Sequence, residues 1–325
     1  MGDATFIFSL DCEGKWGAAD LLENSVLGSY TSAGLEEAYR LIVELLDKYE
    51  VPATFAFSSC FYLTADEANA HPQWFEPSDF NSRDWFKPFK SDMAKQQFDG
   101  WLSPTALETV MKSGAHEIAS HGFSHIPLGE SLISERQFRR EMECIRAAEA
   151  LRGIKTETFV FPRNKIGYLS ALSEYGFTAY RPPDPGNLNK TAGAKLVRLA
   201  NDFNTFEKPV DHSNSGVPLA LPAGRYLTLR NGFRRWIPTV AIKTKIESVL
   251  DRTIRNGQVY HLFSHPHNFI TGWHQYDVLE VILQAVANRV RAGELTVQTQ
   301  QGYCGHYSPA PSHQPLPEGA LAAEI

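Results

Sequence analysis

Short, almost wholly apolar runs alternate along this chain with longer stretches of helical periodicity, and that rhythm constrains the fold more than any other feature. Strands apolar throughout suit burial on both faces, the condition that parallel sheets impose. Such runs occupy Thr5–Leu10, Ala53–Phe57, Glu117–Ser120, Thr158–Phe161, Thr178–Tyr180, Gln258–Phe263 and Leu295–Gln298. Between them, Leu35, Ala38, Tyr39, Ile42, Leu45, Leu46 and Tyr49 recur at three-and-four spacing, which predicts an amphipathic helix over about 34–50. Val51-Pro52 stops it, because proline lacks a donor and restricts its predecessor. Ser103-Pro104 opens a second helix that ends near Gly114. Ser134 with Gln137 forms a capping-box pattern for a third, carrying Phe138, Met142, Ile145 and Leu151 and closed by Gly153. Two more carry Ile242, Ile246, Val249 and Ile254 up to Gly257, and Val278, Ile282, Val286 and Val290 up to Gly293. Six or seven βα units result, so the expected class is α/β with a largely parallel sheet or barrel.

Two stretches break the rhythm. Residues 64–102 are rich in Trp, Phe, Pro and Asp without clear periodicity, and an insertion that long is usually functional or mobile. Residues 182–235 are rich in Gly, Pro and Asn. Residues 306–325 carry no core-forming pattern and are expected to be a disordered tail after one domain spanning 1–305. With 43% hydrophobic residues among 325, the chain has ample material for a core. Its net charge of -6 offers no global field for nucleic acid, and no apolar run approaches the ~18–20 residues of a membrane span. Cys12, Cys60, Cys144 and Cys304 lie far apart and read as free thiols of a reducing compartment. The first residues show no secretory pattern, so the cytoplasm is the expected location. Nothing in the sequence specifies an oligomeric state.

Four constellations can carry chemistry. Asp11 and Glu13 follow the first strand, at the end where ligands bind in barrels and open α/β sheets, although an acidic turn can also merely cap a strand. His121 and His125 have a spacing that can supply two imidazoles to one metal, yet such a pair also arises by chance in a chain with 11 His. Arg163 follows another strand and can pair with a carboxylate or lie on the surface. His261, His265 and His267 end a further strand, where a His-x-His metal pair and a single catalytic acid beside a packing neighbour are both open.

In order, these segments resemble the polysaccharide deacetylase family, also known as NodB-homology domains or family-four carbohydrate esterases. Ser9-Leu10-Asp11 followed by Glu13 is similar to the family's first motif, and Val51 to Phe55 to its second strand. His121-Gly122-Phe123-Ser124-His125 resembles its His-Thr-Trp-Ser-His motif, Pro162-Arg163-Asn164 its arginine motif, and Leu262 to His265 its closing Leu-x-x-His. The resemblance covers roughly residues 4–303. The adjacent acidic pair of the family is spaced here by Cys12, the Pro-Tyr after the motif arginine is missing (with Tyr168 a possible substitute), and Asp202 is a weak match to the Asp-x-x-x-Trp motif.

The resemblance implies a deformed (β/α)7-type, NodB-like barrel with a long insertion after the second strand. It implies a divalent metal, Zn2+ or another such as Co2+, Ni2+ or Mn2+, held by Glu13, His121 and His125. Asp11 becomes the base for a metal-activated water, His265 the proton donor to the leaving amine, and Arg163 the partner that keeps Asp11 ionised. The reaction implied is N-deacetylation of an N-acetylated sugar, and the expected cytoplasmic location points to a nucleotide- or lipid-linked glycan precursor as substrate. The rivals are a NodB-like amidohydrolase on a non-sugar C–N bond (allantoinase-like) and a non-catalytic carbohydrate-binding barrel. The rings of Trp74, Phe75, Trp85, Phe86, Phe89 and Trp101 would then be a wall for sugar faces, or else packing.

Overall fold

The computed structural model describes residues 4–20, 30–183, 218–227 and 236–305. Its strands are β1 (Thr5–Cys12), β2 (Thr54–Phe57), β3 (Asp79–Phe80), β4 (Arg83–Asp84), β5 (Glu117–Ser120), β6 (Thr158–Val160), β7 (Ala179–Arg181), β8 (Leu219–Ala220), β9 (Arg225–Tyr226), β10 (Val259–Ser264) and β11 (Thr296–Gln298). The α-helices are α1 (Ser32–Lys48), α2 (Ala65–Ala70), α3 (Lys87–Met93), α4 (Pro104–Ser113), α5 (Glu135–Arg152), α6 (Leu169–Glu174), α7 (Thr239–Asn256), α8 (His274–Arg291) and α9 (Gln300–Gly305). All seven strands expected from the apolar runs are present, as are the five helices read from periodicity and caps.

The strands pair in the order β8-β7-β6-β5-β2-β1-β10-β9, every pair parallel, with β11 beside the lower half of β1. This is the α/β architecture expected, a parallel sheet curled into a half-barrel with helices packed outside. β3 and β4 form a separate antiparallel hairpin in the insertion. Because the main strands all run one way, their C-terminal ends open at a common mouth. The register sets Leu10 against Ser264 and Cys12 against Phe57, so the residues just beyond β1, β2 and β10 emerge at one level.

Every residue of β1 is buried, which explains why its run is almost wholly apolar. Helix α1 buries Leu35, Ala38, Tyr39, Ile42, Val43 and Leu46, the stripe its spacing dictates. The Ser134–Gln137 capping box forms at the start of α5, and Gly153 closes that helix in the left-handed conformation, at φ 63°.

The insertion is folded. Trp74, Phe75, Trp85, Phe86, Phe89 and Trp101 are all buried, so of the two readings, a wall for sugar faces or packing, their burial supports packing. Phe75, Phe86, Phe89 and Trp101 gather around Trp16, whose ring lies 4.8 Å from those of both Phe89 and Trp101, edge-on to the latter. The tail at 306–325 and the candidate Asp202 lie outside the described residues.

Candidate active site at the sheet mouth

Glu13 leaves the end of β1, and His121 and His125 lie on the loop after β5. The Oε2 atom of Glu13 stands 2.6 Å from His125 Nε2 and 3.3 Å from His121 Nε2. All three side chains are buried, and their ligating atoms fall within 4.8 Å of one another. His121 Nδ1 donates to the Val160 carbonyl at 2.7 Å, which fixes the ring with its Nε2 toward Glu13. His125 Nδ1 is buried without a partner among the described residues. A carboxylate and two imidazole nitrogens converging on one point need a positive charge among them, a proton on an imidazole or a cation. The donor set, one carboxylate and two imidazoles, is also that of catalytic zinc sites, so these residues fit a divalent cation.

The loop that carries both histidines is held from beneath. Burial raises the Glu141 carboxyl above its ordinary value, yet it accepts hydrogen bonds from the backbone N–H groups of Phe123 and Ser124 and from the Ser124 hydroxyl. Trp85 of the insertion donates its indole N–H to the Ser124 carbonyl at 2.9 Å. The aromatic insertion therefore braces the imidazole loop and does not face the opening.

Asp11 is buried beside the cluster, and here the structure corrects the sequence reading. Arg163 does not reach Asp11. Both terminal nitrogens of Arg163 donate to Asp20, and one also to the Gly17 carbonyl. The partner of Asp11 is Arg181 at the end of β7, in a bidentate pair with Nη1–Oδ1 at 2.8 Å and Nη2–Oδ2 at 2.6 Å. The physical reason is placement. The backbone at Arg163 turns left-handed (φ 52°) directly after Pro162, and its side chain reaches the segment beyond Glu13. Arg181 continues an extended strand inside the sheet and is 1% exposed, close enough to meet Asp11 in the interior. Burial works to raise the Asp11 carboxyl, but Arg181 foremost, with His121 and His265, brings it down to about 2.

Arg181 is itself held in place. Its Nη1 donates to Ser9 Oγ at 3.2 Å, and its guanidinium lies 4.1 Å from the centre of the Phe263 ring. His261 Nδ1 donates to the Pro222 carbonyl at 2.8 Å, so its Nε2 accepts from the Ser9 hydroxyl, also at 2.8 Å. Burial, helped by Arg181, lowers His261 to about 3, which keeps it neutral. His261 thus supports Arg181 and lies off the mouth.

His265 projects toward both carboxylates, its Nε2 3.8 Å from Asp11 Oδ2 and 3.9 Å from Glu13 Oε1. His267 also turns inward, with Nδ1 3.9 Å from Glu13 Oε1 and its ring between those of Tyr30 and His265. Tyr168, weighed as a substitute for the missing motif tyrosine, donates instead to the Ile133 carbonyl. The sequence reading missed Arg181 and Asp20, and named Ser9 only as part of the first motif, with no role of its own. Arg181 carried the same signal that singled out Arg163, a basic residue at the end of an apolar run.

A family model described as polysaccharide deacetylase matches residues 29–180, which contain His121 and His125 but neither Asp11 nor Glu13. No curated protein matches the chain. Among solved structures, a Mycobacterium smegmatis protein described as a polysaccharide deacetylase is 14% identical, with TM-score 0.52 over 97% of this chain and 96% of its own. A second so described, from Pseudomonas aeruginosa PAO1, is also 14% identical, with TM-score 0.50 over 93% and 90%. A GH57-type branching enzyme from Pyrococcus horikoshii is 11% identical, with TM-score 0.52 over 99% of this chain and 73% of its own. At these identities the likenesses concern fold, and one fold hosts many chemistries.

Proposed function

We propose that the chain, whose residues 29–180 match the polysaccharide deacetylase model, is a member of that family and a metal-dependent hydrolase that removes an acetyl group from the nitrogen of an N-acetylated sugar. The observation that carries this reading is the buried trio of Glu13, His121 and His125, with a separate ionised carboxylate, Asp11, beside it. A divalent cation held by the trio, zinc or an ion such as Co2+, Ni2+ or Mn2+, would supply Lewis acidity that makes hydroxide available near neutral pH and polarises the amide carbonyl.

The chain's own groups do the rest. Asp11 takes a proton from the attacking water at a carboxylate oxygen, while Arg181 holds both oxygens in place and keeps them charged. An anchor this strong makes Asp11 a modest base. His265 Nε2, facing the same opening, delivers a proton to the departing nitrogen as the C–N bond breaks. Acetate and a free amine leave. His267 and Tyr30 form a wall beside it.

We further propose a cytoplasmic sugar precursor, nucleotide- or lipid-linked, as the substrate. No described helix is long and apolar enough to cross a membrane. The test is acetate release from such precursors and from polymeric glycan, with and without chelator. Release that stops on chelation, returns with Zn2+ or Co2+, and falls about 10²–10⁴-fold in Asp11→Asn is expected. Chelator-insensitive turnover of a cyclic amide or ureide instead would favour the amidohydrolase rival.

A further inference from the structure

The arginine freed from Asp11 has a different task. We propose that Arg163 is a positioning residue for the carboxylate ligand Glu13, acting through a seat formed by Gly17 and locked by Asp20. The inference rests on the cation site described above.

Three independent observations meet at this point. The Glu13 side chain lies directly over Gly17, and a Cβ built on Gly17 would overlap the Glu13 carboxylate at Oε1 and Cδ. Only glycine leaves room there, so the height of the Gly17 backbone sets where the ligand oxygen can lie. Arg163 fixes that height, since its Nη2 donates to the Gly17 carbonyl at 3.2 Å and its guanidinium grips the Asp20 carboxylate through both terminal nitrogens, Nη1–Oδ2 at 2.9 Å. The other side of the turn is fixed by the insertion: Lys15 N–H donates to the Gly100 carbonyl and the Trp16 indole to the Trp101 carbonyl. The segment from Glu13 to Asp20 is thus bolted on one flank by the aromatic insertion and, among the described residues, on the other by Arg163.

The backbone adds the third observation. Arg163 and Asn164 are consecutive residues in the left-handed region, at φ 52° and 54°, a conformation side-chain-bearing residues adopt at a cost. That turn aims the guanidinium at Gly17 and Asp20, and the indole of Trp85 covers it 5.5 Å away. Ligand carboxylates depend on such outer partners, whose loss typically weakens a metal site by ~10–100-fold.

The test uses the full chain and cations alone. Zn2+ affinity is measured by competition with a chromophoric chelator, and Co2+ coordination by its visible absorption, for the wild type, Arg163→Ala, Arg163→Lys, Asp20→Asn and Gly17→Ala. The expected result is a loss of about 10–100-fold in Arg163→Ala, a smaller loss in Arg163→Lys and Asp20→Asn, and the largest in Gly17→Ala. The Co2+ band should shift in each affected variant while the cation-free Tm of Arg163→Lys stays near the wild type's. Wild-type affinity and an unshifted band in both Arg163→Ala and Gly17→Ala overturn the proposal while leaving the cation site standing. An affinity loss that tracks the cation-free Tm, with the Co2+ band unchanged, overturns it in favour of general support of the fold. A wild type that binds no cation removes this inference together with the reading beneath it.

Discussion

At the scale of single residues, the site runs on pairs whose members restrain one another. Arg181 keeps Asp11 charged in the interior, Ser9 steadies Arg181, and His261 must stay neutral to accept from Ser9. A histidine neutral in the fold but free to protonate in the unfolded chain makes stability depend on pH. Its ordinary value is 6.5, whereas in the fold it titrates near 3. Above pH 6.5 both states leave it neutral and no difference arises. Below that, the unfolded chain takes a proton that the fold refuses, so stability falls as pH drops, by up to about 1.4 kcal/mol per unit. The fall ends as His261 itself protonates, near 3. Urea unfolding at pH 7, 6 and 5 should therefore show a shallower acid slope in His261→Gln, by about one proton. An identical slope would mean that His261 is not held neutral. The sequence exposed Asp11, Glu13, His121, His125 and His265 because each sits just past an apolar run, and the structure brings all five together. It could not rank Arg163 against Arg181. Both end such runs, and only the left-handed turn at 163 and the extended backbone at 181 separate their reach.

Elements were legible where their pattern is periodic and opaque where it is not. The long strands and helices bury stripes that recur at fixed spacing, so they announce themselves. β8 and β9 are two residues each, too short to carry any period. Helix α2 did carry a signal, the Thr64–Glu67 capping box, within a stretch whose aromatic crowding masked it. The rings of that stretch pack around Trp16 from several short elements, so no single element shows a stripe. Their burial decides between wall and core, and a substitution can check it. Phe89 is fully buried against Trp16, Phe75 and Trp101, so Phe89→Ala should cost about 3–5 kcal/mol of stability. With substrate in hand, KM of the folded variant should move little. A stable variant with a raised KM would restore the sugar-contact role.

The whole molecule explains why the site needs the complete sheet. Its groups come from the ends of β1, β5, β7 and β10, strands far apart in sequence that parallel pairing sets side by side. The trio itself joins the ends of β1 and β5, far apart in sequence, so the unfolded chain has no site of comparable affinity. A ligand that binds the fold and not the unfolded chain stabilises it by mass action, about 2.7 kcal/mol when present at 100 times its Kd. In the cation-free fold, Glu13 lies among imidazoles, and burial opposes its charge even as His125 and His265 hold its carboxyl far below the ordinary range. A cation relieves that tension, since it supplies the positive charge without protonating either histidine. Thermal unfolding with added Zn2+ or Co2+ should therefore show a Tm that climbs with cation concentration. His125→Ala, which removes one imidazole and leaves the sheet intact, should abolish the climb, and Mg2+, which prefers oxygen donors, should produce little of it. A Tm that ignores Zn2+, or a climb that survives His125→Ala, would place cation binding elsewhere and leave the mouth of the sheet to a different chemistry.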